Sequence, residues 1–382
     1  MACILKLPTE NSVGVISITT PERDSQIAND PALRSAIEGM KRKWLIGLHH
    51  NWHDHNFRYD PLFDFSMAGE DDLREINGTT VPLVPMDACN FVPETFKPRT
   101  TEKFWDILYV ARAVQFKRIP EFFQCIRDLY DAGHKCRVLF ICPVPSYDAK
   151  NQNTVFYNIR EVYDTMFIGA ERDLFNLLTI DYRYPFPFDL DTLAHFYRSS
   201  KLFVHTADDE RRCRVAGYAW ASGIPVVAMN CVAGLLPPEA RKTPYFYEAK
   251  QYADFPTQIV RALRDQSSAQ WDTALMERFF IETKSTDTLN SYLQKIAMDR
   301  GLPYDLENLS RKNLSIRLGR HHVDSEGPNS LNVKLIDLIE WISNNPTEAQ
   351  HALQSEDPER AMNIKKSELG LLERLRSFIS KF

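Results

Sequence analysis

The stretch Phe203-Val-His-Thr-Ala-Asp-Asp-Glu-Arg-Arg-Cys-Arg-Val-Ala-Gly-Tyr-Ala-Trp-Ala-Ser-Gly-Ile-Pro-Val-Val-Ala228 decides the fold. Leu202-Phe-Val-His205 is a short apolar run that reads as a buried strand. Asp208, Asp209 and Glu210 follow at its carboxyl end, and a helix is expected from about Glu210 to Ala221. Ala216, Gly217, Ala219 and Ala221 are small enough to let that helix lie close to a sheet. Gly223-Ile-Pro225 then turns sharply into a second strand, Pro225-Val-Val-Ala-Met229. Strands that are apolar throughout and joined by a helix belong to a parallel sheet covered on both faces.

The same alternation extends in both directions. Upstream, Ile107-Leu-Tyr-Val110 reads as a strand, and Phe122, Phe123, Ile126, Leu129 and Tyr130 form a helical stripe over 120–130, with Gly133 placed to stop it. Arg137-Val-Leu-Phe-Ile141 is the next strand, ending near Pro143 and Pro145. Asp189 or Asp191 can cap a helix through Leu193, Phe196 and Tyr197. A helix over 255–263 closes the series. Ligands of such sheets bind beyond the carboxyl ends of the strands, which directs attention to the residues after Val110, Ile141, His205 and Met229.

A second α/β region precedes this one, with strand-like runs at 13–18 and 44–48 around a helix at 32–41. Pro82, Pro85, Pro93 and Pro98 punctuate an expected linker. Beyond about 285 the pattern turns helical, with stripes at Leu335, Leu338, Ile339 and Ile342 and at Leu371, Leu372, Leu375 and Ile379. The expected organisation is a reduced Rossmann-like domain over 1–97, a Rossmann-like domain over 98–285 and a helical extension over 286–382.

The 382 residues are 44% apolar and 25% charged, as in ordinary globular chains, which excludes disordered and fibrous classes. Lys+Arg 46 against Asp+Glu 51 gives a net charge of −5, which argues against a nucleic-acid protein built on a global positive field. No apolar run is long enough to span a membrane, and Met1 to Pro8 is too short and too soon broken for a signal peptide. Seven scattered cysteines without a C-x-x-C pair fit buried free thiols in a reducing compartment, so a cytoplasmic location is expected.

Two segments could carry chemistry. In Val110-Ala-Arg-Ala-Val-Gln-Phe-Lys117, a loop at a strand's carboxyl end presents Arg112 and Lys117 ahead of a helix, an arrangement suited to clamping phosphate. Two solvated loop charges would give the same pattern. The acidic group 208–210 could likewise do no more than complement a helix dipole.

Taken together, the two segments resemble the C-terminal half of a retaining GT-B glycosyltransferase of the large nucleotide-sugar family often numbered four, also called glycosyl transferases group 1. That family has an Arg and a Lys five residues apart after a strand, as Arg112 and Lys117 are. It also has a Glu followed by seven residues and a second Glu, leading into Ala-x-Ala-x-Gly-x-Pro-Val. Tyr218-Ala-Trp-Ala-Ser-Gly-Ile-Pro-Val226 matches that end and Glu210 falls at the first Glu. Asp191 to Val204, Phe65 to Glu75 and Val84 to Ala88 extend the likeness over about 60–285.

The resemblance implies an α/β GT-B-like chain of two Rossmann-like domains, the N-terminal one reduced. It implies transfer of a sugar from a UDP- or GDP-sugar to an acceptor hydroxyl with retention, the acceptor being a glycan, a lipid or a nucleic acid. Arg112 and Lys117 would neutralise the leaving diphosphate in place of a metal, so no resident cofactor is expected. Glu210, or Asp209 beside it, would contact the donor sugar, and backbone N–H groups around Gly234 would face the sugar or diphosphate. Family members place a His at the end of an N-terminal-domain strand, so His50 or His49 is a catalytic candidate. His53 and His55 could join them as metal ligands, but the cluster lacks a cysteine or carboxylate at firm spacing.

Departures are equally visible. The second Glu is Tyr218, which offers the ribose a hydroxyl instead of a carboxylate. Cys142-Pro-Val-Pro145 replaces a glycine-containing loop, and the N-terminal region is short. An inactive GT-B-like binding or scaffold protein and a glycosyltransferase acting on modified nucleic acid are the alternatives. Asp189-Leu-Asp191 matches a metal-binding D-x-D, but a helix start is where Asp caps.

Overall fold

The computed structural model describes residues 2–19, 26–49, 60–67, 75–76, 79–80, 83–144, 154–181, 188–210, 212–265, 271–309, 344–345 and 347. The chain divides into two compact units, Met1–Ala88 with Thr286–Phe382, and Cys89–Ser285. The first division falls inside the proline-punctuated stretch, and the chain beyond 285 groups with the N-terminal unit. The stripes at 335–342 and 371–379 lie outside the described residues.

In the first unit, β1 (Ala2–Lys6), β2 (Gly14–Thr19), β3 (Trp44–His49), β4 (Phe65–Met67) and β7 (Leu83–Val84) form one sheet in chain order. β1 is antiparallel to β2, and the other pairings are parallel. β5 (Glu75–Ile76) and β6 (Thr79–Thr80) make a separate small hairpin. Helix α1 (Pro31–Met40) crosses from β2 to β3, started by Asp30, whose carboxylate accepts from the Ala32 and Leu33 N–H groups at 2.9 and 3.0 Å. Leu33 and Ile37 of α1 pack on Ile16, Ile18, Ile46 and Leu48. The chain after 300 is tied to this unit by Lys6, buried on the Asp305 carboxylate at 2.5 Å, and by the Val13 N–H donating to the Pro303 carbonyl at 2.9 Å.

The second unit holds β8 (Trp105–Val110), β9 (Val138–Val144), β10 (Phe175–Asp181), β11 (Ser200–His205), β12 (Val226–Ala228) and β13 (Phe246–Glu248). They form one sheet in the order β10-β9-β8-β11-β12-β13, and every pairing is parallel. Numbered within the unit this is 3-2-1-4-5-6, the doubly wound Rossmann order. The connecting helices are α2 (Ile119–Asp131), α3 (Thr154–Met166), α4 (Leu190–Arg198), α5 (Arg214–Ala221) and α6 (Phe255–Asp265). Then come α7 (Thr273–Phe280) and α8 (Glu282–Asp299), the latter running through the 285/286 division.

Side chains alternate across this sheet. Leu108, Val110, Leu139, Ile141, Phe203 and Val226 join one buried cluster; Ile107, Tyr109, Val138, Phe140, Leu202 and Val204 join the other. Both faces are covered, which is why these strands read as continuous apolar runs. The strands without such a run, β10 and β13, are the two edges. Asp189 caps α4 by accepting from the Thr192 N–H at 2.7 Å, the capping role expected of the D-x-D.

One boundary moves. The helix expected from about Glu210 starts at Arg214, so no acidic residue lies in its first turn. Asp208 and Glu210 are engaged by Arg118 and Lys117 instead, which keeps the acidic group out of the helix. The small residues of α5 act as expected. A Cβ on Gly217 would stand 2.8 Å from the Cys89 carbonyl oxygen, closer than real contacts allow. After α5, Gly223 adopts φ +74 and the Ile224 N–H returns to the Ala219 carbonyl at 3.1 Å, a left-handed stop that favours glycine.

Candidate functional site

The strand order of the second unit reverses between β8 and β11, the neighbours whose onward connections lead to opposite sides of the sheet. Beyond their carboxyl ends a doubly wound sheet leaves a crevice. The residues that reach this place are Arg112 and Lys117 from the loop after β8, and Asp208, Asp209 and Glu210 from the loop after β11.

The loop after β8 is fixed by the strands beneath it. A helical turn over Gln115–Lys117 ends at Arg118, which takes the left-handed φ of 53° and passes the chain into α2. The backbone here would cost about 1–2 kcal/mol for a residue with a Cβ, so it needs support. Tyr109, on β8, donates its buried hydroxyl to the Lys117 carbonyl at 2.7 Å. Thr206, just past β11, places its hydroxyl 3.0 Å from both the Lys117 and Arg118 carbonyls and 2.9 Å from the Tyr109 oxygen. The Arg118 guanidinium closes on Asp208 through Nε at 2.8 Å and Nη2 at 2.7 Å, and the Tyr252 hydroxyl donates to the same oxygen at 3.2 Å. Burial works against the Asp208 charge, but the Arg118 contacts outweigh it and hold the carboxyl below its ordinary value.

Lys117 and Glu210 meet in a buried cluster. Lys117 is 6% exposed and its ammonium is paired with Glu210 Oε2. The same oxygen lies 2.5 Å from Nε2 of His205, whose residue is fully buried at the end of β11. Glu210 Oε1 has no hydrogen-bond partner among the described residues. Burial opposes the Glu210 charge, yet His205 and Lys117 together hold the carboxyl well below the usual carboxylate range. Burial lowers the His205 value, with Lys117 adding to it and Glu210 pulling the other way. Neutral His205 therefore donates from Nε2 to Glu210, which leaves Nδ1 buried without a hydrogen-bond partner. Cys213 stands beside the cluster, fully buried, its thiol pushed well above its ordinary value by burial.

His205, Glu210 and Cys213 bring a nitrogen, an oxygen and a sulfur within 4.8 Å of one another. The Lys117 ammonium already sits on the Glu210 carboxylate and supplies the positive charge there. The set is therefore an ion-pair cluster in this state.

Arg112 is exposed, and its guanidinium has no partner among the described residues. The two basic residues thus share one loop but differ in state: one is exposed to solvent, the other is engaged. Asp209 is also exposed. Tyr218 lies on α5 with its ring stacked on Phe96 at 4.3 Å and set edge-on to Tyr197 at 5.9 Å, under the Arg214 guanidinium at 5.8 Å. Gly234 falls in the helical turn Asn230–Leu235 that follows β12 and is half-buried. In the first unit His50, His53 and His55 lie outside the described residues. His49 ends β3 and places Nε2 2.9 Å from Oδ2 of Asp87, which is 2% exposed.

The sequence reading does not reach His205, Tyr109, Thr206, Arg118 or Asp87 as site residues. The signal for His205 and Thr206 was there: polar residues closing an apolar strand immediately before an acidic group. Tyr109 sits inside an apolar run and carries no such mark.

No protein family profile matches the chain, and no curated protein matches it. Among solved structures, the chain is similar to TarM, at 14% identity and TM-score 0.48, covering 74% of this chain and 54% of that one. It is similar to a glycosyltransferase from Rickettsia africae ESF-5, at 11% identity and TM-score 0.48, covering 71% of this chain and 74% of that one. It is also similar to the pneumococcal O-GlcNAc transferase GtfA in complex with UDP and GlcNAc, at 8% identity and TM-score 0.42, covering 69% and 54%. The chain spans about half the length of TarM and of GtfA. Among the described residues no helix is long and apolar enough to cross a membrane.

Proposed function

We propose that this protein is a glycosyltransferase that moves a sugar from a UDP- or GDP-sugar to an acceptor hydroxyl with retention at the anomeric carbon. The observation that carries the reading is the placement of Arg112 and Lys117 at the carboxyl end of β8, where the 3-2-1-4-5-6 sheet reverses its order. Two cations there suit a diphosphate. The family-like spacing of Arg112, Lys117 and Glu210 supports a donor of that class over other phosphate ligands.

In this mechanism Arg112 and Lys117 neutralise the diphosphate as the bond from the anomeric carbon to its oxygen breaks. The acceptor oxygen forms the new bond on the same face, and its proton passes to the departing phosphate oxygen. Glu210 Oε1, which has no hydrogen-bond partner among the described residues, accepts from a donor-sugar hydroxyl. Asp209, Gly234 and His50 are proposed to contribute to donor binding and catalysis on the family likeness alone. The chain's own two cations do the neutralising, without a resident metal, and the acceptor is a glycan, a lipid or a nucleic acid.

Tyr218 favours a second reading, a GT-B-like protein that binds a nucleotide without turning it over. Its ring is committed to Phe96, and no carboxylate stands at its position for the ribose. Thermal stabilisation by UDP, GDP and their sugars tests both. Donor hydrolysis or transfer selects the enzyme; stabilisation without turnover selects the binding protein. Absence of stabilisation by any nucleotide, with Arg112→Ala indistinguishable from the parent, would sink both.

A further inference from the structure

The Lys117 that is to meet a diphosphate is already paired with Glu210 in a buried place. If Lys117 turns to an incoming diphosphate, the carboxylate loses its nearest cation. An uncompensated buried charge costs about 3–5 kcal/mol, enough to oppose binding. His205 is the group placed to prevent this. Its Nε2 lies 2.5 Å from the oxygen that Lys117 vacates, and its Nδ1 is buried, unprotonated and without a hydrogen-bond partner.

We propose that His205 is the positioning residue for Glu210 and takes up a proton when Lys117 leaves Glu210 for the donor diphosphate. The inference rests on the donor-binding reading above. The proton comes from solvent and enters at Nδ1. The resulting imidazolium replaces Lys117 as the partner of Glu210 Oε2, and the Glu210–His205 contact is kept. Oε1 stays aimed for a sugar hydroxyl while the net charge of the buried group is unchanged.

Among the described residues the groups bearing on His205 are few. Glu210 and Lys117 are the charged ones. The Tyr109 ring is stacked at 6.2 Å on one side and Phe203 at 6.1 Å on another, and neither carries charge at neutral pH. Cys213 beside the cluster is a neutral thiol. The exposed pair of Arg118 and Asp208 is closed on itself. Burial is the largest influence that keeps His205 neutral, and Lys117 adds to it; once Lys117 leaves, Glu210 is the charged neighbour that acts on the ring, and it favours the imidazolium.

UDP-glucose and GDP-glucose are suitable probes, because their diphosphates are esterified at both ends and do not titrate near neutrality. Calorimetry at pH 7.5 in two buffers of different ionisation enthalpy reads the protons exchanged. The expected result is uptake of close to one proton, with affinity rising roughly tenfold per pH unit of acidification until His205 is charged in the free protein. His205→Asn, whose amide can donate to Glu210 but cannot ionise, should bind with no uptake. Ring-nitrogen NMR of the parent protein titrated with the same probe gives a second measurement that needs no variant: Nδ1 should move to the imidazolium position. Binding with equal heats in both buffers, or uptake that survives in His205→Asn, overturns the proposal and leaves the donor reading intact. If neither sugar nucleotide binds, the donor reading fails and the inference with it.

Discussion

Glu210 and His205 share a hydrogen bond of 2.5 Å at the end of β11, where the imidazole is fully buried and the carboxylate nearly so. Both groups have folded-state values below their ordinary ones. For Glu210 the stabilisation is present above its ordinary 4.5 and lost as pH falls through the folded value. For His205 it is present above 6.5 and declines as pH falls toward the folded value. Both act in the same direction, so stability should fall on acidification, beginning below pH 6.5. In His205→Asn the part of the slope between pH 6.5 and 5 should flatten while the part below remains. Urea midpoints at pH 7.5, 6 and 5 measure this, and equal slopes in the two proteins would count against it.

Arg112 is exposed and unpaired among the described residues, so Arg112→Ala should change stability by less than about 0.5 kcal/mol. Its nucleotide-induced thermal shift should nonetheless be lost or reduced several-fold. A variant that loses stability as well as binding would place Arg112 in the scaffold instead.

Tyr109→Phe removes the hydroxyl that supports the Lys117 carbonyl under a left-handed Arg118. The expected loss is about 1–2 kcal/mol, since Thr206 still reaches that oxygen. Tyr109→Phe with Thr206→Val should cost more than the sum of the two single changes. Chemical denaturation of the four proteins forms the cycle, and additivity would show that the two hydroxyls do not act on one loop.

Arg118 pairs with Asp208 at a half-exposed site and has φ of 53°. Arg118→Gly relieves the backbone and loses the pair, worth about 0–1 kcal/mol when solvated, so the two effects should nearly cancel. Arg118→Ala loses the pair and keeps the Cβ, and should melt below the glycine variant. The reverse order would mean that the left-handed turn is not what constrains this residue.

Gly217→Ala sets a methyl 2.8 Å from the Cys89 carbonyl, a backbone atom that cannot swing away. A loss of about 1–3 kcal/mol is expected, and Gly217→Val should be worse. Gly39, whose Cβ would meet nothing within 4 Å, is the control: Gly39→Ala in helix α1 should be neutral or stabilising.

The amino-acid sequence determined four of the six strands of the second unit and four of its five connecting helices; α3 was not read from it. β8, β9, β11 and β12 are buried on both faces, and such strands cannot be built without continuous apolar runs, so each was legible. So were the glycine stop after α5 and the Asp189 cap, because those conformations favour few residue types. The edge strands β10 and β13 were not, since an edge needs no such run. Arg112, Lys117 and Glu210 could be picked out by spacing, but not what each touches. Lys117 and Glu210 are 93 residues apart, and only the parallel pairing of β8 with β11 brings them together over His205. That pairing also settled where α5 begins: with Glu210 on Lys117 and Asp208 on Arg118, the acidic group is held in the loop and the helix starts at Arg214. Local patterning fixes what a segment can become. Which charges meet in the interior depends on strand order, and no local pattern encodes that.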